Sequence, residues 1–165
     1  MSKEQLPISN IFINNWTNIQ LKRFTGMDQI KVAEYVVAKD RMYLPSHEWV
    51  LDNGDGTFTM GISDYAQKML REVSYIQFEE VGEKFDAEEI LTVVEALKAT
   101  GDIYAPFDCE LLENNESLED EPEKVTSSPY EEGWLIKIRA VSDDRSSLIT
   151  PEEYVKVIED ELEDL

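Results

Sequence analysis

Cysteine and histidine are nearly missing from this chain, with Cys109 and His47 as single occurrences in 165 residues. One cysteine cannot close an internal disulfide, which favours a reducing compartment, the cytoplasm. One histidine excludes a histidine-rich metal site and leaves a single candidate base for a serine or cysteine triad. Cys109 lies far from it in sequence, near Phe107 in a strand-like pattern, and reads as a packing thiol. Basic residues are scarce too: 15 against 36 acidic ones, a formal charge of −21. That excess repels nucleic acid and anionic membranes, and suits a soluble protein steered toward basic patches on larger partners. No apolar run approaches a membrane span, and MSKEQLPISNIFINNW at the start lacks the basic and apolar regions of a secretory signal. Neither a Walker A sequence nor Gly-x-Gly-x-x-Gly is present. Carboxylates are so abundant that finding two of them close in sequence carries no information about acid–base chemistry. The chain does not read as an enzyme acting on its own, and no metal site is expected.

What is present centres on VVEALKATGDIYAP, residues 93–106. Val93 and Val94 before, and Ile103 and Tyr104 after, are strand formers. The stretch Ala96–Gly101 between them is short enough for a hairpin tip, with Gly101 the expected source of turn freedom. Lys98 then stands at the apex with its amine in water. Nothing nearby in sequence would depress its pKa, so it is a poor Schiff-base or general-base residue, but an accessible target for modification.

Taken in order, residues 1–30 show no clean period and read as an extension of unknown role, able to pack through Trp16 or to bind a partner. From Lys31 to Asp40 the pattern predicts one strand. Tyr43, His47, Trp49 and Leu51 fall on one face of an extended segment by alternation. Asp52–Gly56 predicts a hairpin turn. A calcium loop there is excluded, because aligning Gly56 with the loop glycine puts Leu51 and Ile62 at ligand positions. Ser63 predicts the N-cap of a short helix, 64–71, with Tyr65, Met69 and Ala66 or Leu70 as its apolar stripe. Strands are expected around Val73–Phe78, Ile90–Glu95, Ile103–Ala105, Cys109–Glu113 and Trp134–Ile138. Asn115 is expected to open a small helical turn that Pro122 ends. Thr150, Pro151 and Glu153 form a capping box at the start of a C-terminal helix, 151–163, with Tyr154, Val155, Ile158 and Leu162 inward. Many short strands with small helices at the edges predict a mainly β fold, a compact barrel or sandwich.

From about Tyr43 to Leu135 the chain resembles the H protein of the glycine cleavage system. The matching motifs, in family order and spacing, are PSHEWV (45–50), GISDYAQKML (61–70), VVEALKATGDIYAP (93–106), ENNESLEDEPEKV (113–125) and SSPYEEGWLIKI (127–138). The resemblance implies a barrel-sandwich hybrid of the lipoyl/biotinyl-domain type over residues 31–165, with short flanking helices and the C-terminal helix. It implies a non-catalytic carrier with lipoate in amide linkage to Lys98. That carrier would take an aminomethyl group from the decarboxylase (P protein) to the aminomethyltransferase (T protein), and its dithiol to dihydrolipoyl dehydrogenase (L protein). A lipoate ligase or lipoyl transferase would load it. By motif, Ser46, Glu48 and Asp102 would line the cleft that shelters the loaded arm, with His47 at its border. A monomer is the expected state.

The sequence departs from the family at Ala96 and Leu97 before the lysine, at Gly101, and at Cys109, where a glycine is usual. The alternatives are an H-like lipoate protein in another redox pathway (sulfur oxidation or a relay to 2-oxoacid dehydrogenases) and an unmodified interaction module.

Overall fold

A computed structural model describes residues 28–165. The first 27 residues, most of the expected extension and Trp16 with it, lie outside the described residues. The chain divides into two compact units, the smaller containing 28–30 and 38–40, the larger 31–37 and 41–165. In the smaller, the Lys39 amide donates to the Asp28 carbonyl at 2.8 Å.

The single strand expected over 31–40 is instead two, β1 (Gln29–Val32) and β2 (Tyr35–Ala38), paired as a ribbon. The chain reverses at Ala33, which takes φ 55°, and no glycine or proline announces the turn.

Two further sheets carry the rest. The larger runs β3 (Met42–Tyr43), β4 (Glu48–Asp52), β5 (Thr57–Ile62), β11 (Ile136–Ala140), β10 (Cys109–Asn114) and β7 (Lys84–Phe85), in that spatial order. The smaller is β6 (Val73–Phe78), β8 (Ile90–Ala96) and β9 (Thr100–Tyr104). Between the sheets Val50, Phe58, Met60 and Ile138 pack with Ile76, Leu91, Val94 and Ile103 in one buried cluster. This is the mainly β, lipoyl-domain-like sandwich that the pattern of short strands and the motifs imply. Cys109 is buried inside it, and burial, with Asp108 beside it, pushes the thiol pKa up to about 12.

The segment from Tyr43 to Leu51 is not continuous. Leu44–His47 is a tight reversal, closed by His47 N–H to Leu44 O and by Leu44 N–H to Glu48 O, both 2.9 Å. Strands β3 and β4 then pair antiparallel, Tyr43 against Trp49. β4 lies between β3 and β5, and Glu48, Trp49 and Val50 are all buried, so alternation fails as a guide to exposure there.

Asp52–Gly56 turns as expected, with Gly54 and Gly56 at φ 89° and 88°. Helix α1 (Asp64–Leu70) starts at Ser63, whose hydroxyl accepts from the Ala66 amide. It buries Tyr65 and Gln67 and packs Ala66 and Leu70 against the core, whereas Met69 is 47% exposed and leaves the predicted stripe. Two short helices, α2 (Ser117–Asp120) and α3 (Lys124–Ser127), follow β10, and the second has no counterpart in the sequence reading. Pro122 ends the first, as expected. Helix α4 (Pro151–Glu163) begins in the predicted capping box and buries Pro151, Tyr154 and Ile158. Its Tyr154 ring stacks on Tyr43 at 4.4 Å, almost parallel.

Candidate functional site

Strands β8 and β9 form the hairpin, and its tip is Leu97-Lys98-Ala99, closed by the Ala96 amide on the Ala99 carbonyl at 3.1 Å. Gly101 is not the turn glycine. It sits in β9 opposite Val94, where an added Cβ would meet Leu70 Cδ1 at 3.2 Å. Its smallness serves close approach to α1 rather than turn freedom. That approach continues along the backbone: the amides of Leu97 and Lys98 donate to the carbonyls of Glu72 and Leu70, each at 3.2 Å. The tip is therefore fastened to the end of a helix. The supporting residues Arg71 and Glu72 both take positive φ, 61° and 27°, a conformation that L side chains hold only when the surroundings impose it. Lys98 is exposed, as are Leu97 and Ala99 beside it. Among the described residues no ion pair holds its amine. That fits a residue modified through its amine.

Four residues on from Lys98, Asp102 is exposed on the outer strand of the smaller sheet, with the Tyr104 hydroxyl 3.5 Å from its carboxylate. Tyr104 also connects this strand to Glu48. Its backbone N–H donates to Glu48 Oε2 at 2.8 Å, while the Ser46 hydroxyl donates to Oε1 at 2.5 Å. Glu48 has no exposed surface, so its carboxylate is an internal link between the larger sheet and an edge of the smaller one. A strand-edge amide without a strand partner needs such an acceptor. Ser46, Glu48 and Asp102 are thus brought together around Tyr104, a residue the sequence did not single out. Only its place two after Asp102, on the same face of a strand, could have signalled it.

His47 parts from them. Its ring turns to α4, with Nδ1 2.8 Å from the Tyr154 hydroxyl and Nε2 3.0 Å from Glu161 Oε2. Burial lowers its pKa, against the opposing pull of Glu161.

Burial raises the Glu48 pKa, and the hydrogen bonds from Ser46 and Tyr104 oppose the rise only in part. A carboxyl whose folded pKa lies above its unfolded value contributes stability at low pH that is lost as pH rises through the folded pKa. Glutamine at this position can still accept from the Tyr104 amide and donate to Ser46. Glu48→Gln is therefore expected to gain stability over the wild type as pH rises from about 4 toward neutrality. The gap should close below that range. Urea unfolding across pH measures this, and a gap that does not depend on pH would contradict it.

Among the described residues no cluster of three or more metal-ligating side chains occurs, and no helix is long and apolar enough to cross a membrane.

Known proteins resemble this chain in sequence and in fold. A family model described as glycine cleavage H-protein matches residues 41–161. The glycine cleavage system H protein of Vibrio campbellii is 45% identical over 125 residues, covering 74% of this chain and 98% of that one. That of Chromohalobacter salexigens is 52% identical over 97 residues, covering 59% and 74% respectively. The crystal structure of a glycine cleavage system H protein from Mycobacterium marinum superposes with a TM-score of 0.65 at 31% identity, over 72% of this chain and 95% of that one. The fold, the fastened hairpin and these likenesses together show that the chain belongs to the glycine cleavage H-protein family.

Proposed function

We propose that Lys98 is the residue through which this member of the family carries lipoate, with Ser46 and Asp102 forming the polar surface for the loaded arm and the buried Glu48 supporting it from beneath. Membership gives the role of lipoyl carrier in glycine cleavage, and no observation favours the alternative redox pathways. The observation that supports Lys98 is its place: an exposed amine in the middle of a hairpin tip whose backbone is tied down on one side. When bound, lipoate supplies a disulfide and dithiol pair that accepts a one-carbon amine and is then reoxidised.

The protein's own share is positional. The hairpin presents the attachment point clear of the core. Tethering replaces diffusion of a free intermediate with a high local concentration at each partner. Asp102 offers an exposed carboxylate to a cationic nitrogen, and Ser46 an exposed hydroxyl. Glu48 serves from beneath them, bonded to Ser46 and to the strand that bears Asp102. The chain itself is non-catalytic and performs no chemistry on its own account. Its partners are the decarboxylase, the aminomethyltransferase, the dihydrolipoyl dehydrogenase and the enzyme that attaches lipoate. The surplus of carboxylates suits docking to basic surfaces on them. A cytoplasmic monomer, with residues 31–165 as the carrier domain, completes the reading.

Intact-mass measurement of the chain purified from its own cells under lipoate-replete growth, with peptide mapping, tests the assignment. One lipoyl adduct at Lys98 is the expected result. An unmodified mass would favour the interaction module, and an adduct on another lysine would remove Lys98 from the site.

A further inference from the structure

The geometry points to His47 as a positioning residue, which holds the Ser46–Glu48 turn in place from behind by anchoring it to the C-terminal helix. The inference rests on the proposed roles of Ser46 and Glu48, and it assigns to helix α4 a part in shaping the arm surface.

Three observations carry it. First, the His47 backbone takes φ 86°, a conformation unfavourable to any residue with a side chain, and here the adjoining residues are Ser46 and Glu48. Something must stabilise that conformation, and the ring is fixed at both nitrogens. Second, the hydrogen bonds form a continuous chain, and for a neutral imidazole its donors run in one order. Ser63 Oγ accepts from the Ala66 amide at the start of α1, so its own proton is free for the Tyr154 oxygen. Tyr154 O–H then donates to His47 Nδ1, and His47 Nε2–H donates to Glu161. Each group in this order gives the one proton it has; a protonated imidazole would reverse the first two links, Nδ1–H donating to Tyr154 and Tyr154 O–H to Ser63, and leave the same contacts joined. Third, the chain joins three separate elements: the cap of α1, the turn before β4 and two positions on α4. The Ser63 amide also donates to the His47 carbonyl at 3.0 Å, so the turn is held through backbone and side chain together.

The other groups facing the ring are consistent with this role. Tyr65 from α1 lies 5.0 Å from the imidazole, centre to centre, and the Glu161 charge adds to the burial that raises its pKa. Burial lowers the imidazole pKa more than the Glu161 charge raises it, which favours the neutral form. The ring's partners are Tyr154 and Glu161 on α4 and Tyr65 on α1. Its influence on the arm surface therefore passes through the turn and Glu48 to the Tyr104 amide.

That amide is the reporter. Hydrogen exchange of the full chain without cofactor, at a pH where the imidazole is neutral, is to be compared for wild type, His47→Gly, His47→Asn and Tyr154→Phe. Glycine removes the ring without penalising the positive φ, so backbone strain and ring contacts are separated. Asparagine tolerates the same φ and offers a polar group toward Tyr154.

In His47→Gly and Tyr154→Phe, protection of the Tyr104 amide is expected to fall about tenfold, the size of one lost anchoring hydrogen bond. Protection at Ile138, in the middle of the larger sheet, should stay within about twofold. His47→Asn should recover part of the loss. Unchanged protection at Tyr104 would overturn the inference. An equal fall at Tyr104 and Ile138 would also overturn it, since the ring would then only stabilise the fold as a whole. The proposed roles of Ser46 and Glu48 fail separately. If Ser46→Ala and Glu48→Gln leave the lifetime of the loaded arm unchanged, those roles are lost, whatever the exchange experiment shows.

Discussion

Lys98→Arg is expected to abolish the lipoyl adduct and to lower glycine–bicarbonate exchange with the cognate decarboxylase by at least about a hundredfold. Arginine keeps the positive charge, the length and the exposure of the tip, but its guanidinium stays protonated and is not acylated as an amine is. The tip amides still reach Leu70 and Glu72, so the hairpin has no reason to move. Surface changes of this kind stay within about 0.5 kcal/mol of wild-type stability, which urea unfolding can verify. Exchange falls because a freely diffusing cofactor must replace a tethered one, and tethering alone is worth factors of about 10² to 10⁴. Wild-type exchange in the arginine variant, with a competent decarboxylase, would refute the assignment. So would an adduct that persists after the substitution.

Gly61→Ala is expected to cost about 3 kcal/mol, at the upper end of what overpacking a core costs. A Cβ at that position would lie 2.5 Å from Trp49 Cζ2 and 2.6 Å from Cε2. Real side chains do not approach so closely, so the indole has to shift. It has little room to do so. The ring is 1% exposed, its Nε1–H donates to the Pro129 carbonyl at 3.0 Å, and the Arg41 guanidinium lies over it at 4.5 Å. A loss of this size is a large fraction of the 5–15 kcal/mol that ordinarily holds a domain together. Trp49→Ala alone should cost about 3–5 kcal/mol through the cavity it leaves. The double variant should cost less than the sum of the two, because the added methyl then has space. Gly61→Ala unfolding within about 0.5 kcal/mol of wild type, or strict additivity with Trp49→Ala, would show that the ring is not the obstacle.

Much of this was legible in the residues themselves, for reasons that differ from element to element. Ser63 and the Thr150–Glu153 box are local devices whose donors and acceptors lie within a few residues, so sequence alone suffices to read them. The same holds for Asp52–Gly56, where glycine supplies the positive φ. The turns at Ala33 and Leu44–His47 use non-glycine residues in left-handed conformations, which only the surrounding structure stabilises. No propensity announces them. The site shows the same division. The exposed place of Lys98 follows from a short loop between β-branched runs, while its role as attachment point is what the family resemblance implies. The buried state of Glu48 does not, since a carboxylate is rarely found inside and its partners are a serine two residues earlier and a backbone amide fifty-six residues later. The orientation of His47 depends on Tyr154 and Glu161, more than a hundred residues distant in the chain.

Because the amides of Leu97 and Lys98 are spoken for by the end of α1, the bend itself contributes little sway. Motion of anything attached at residue 98 starts at the Cα and is confined to side-chain torsions and whatever is joined beyond them. The reach is then a hemisphere of fixed origin, and partners of different shape must all bring their reaction centres to that one pivot.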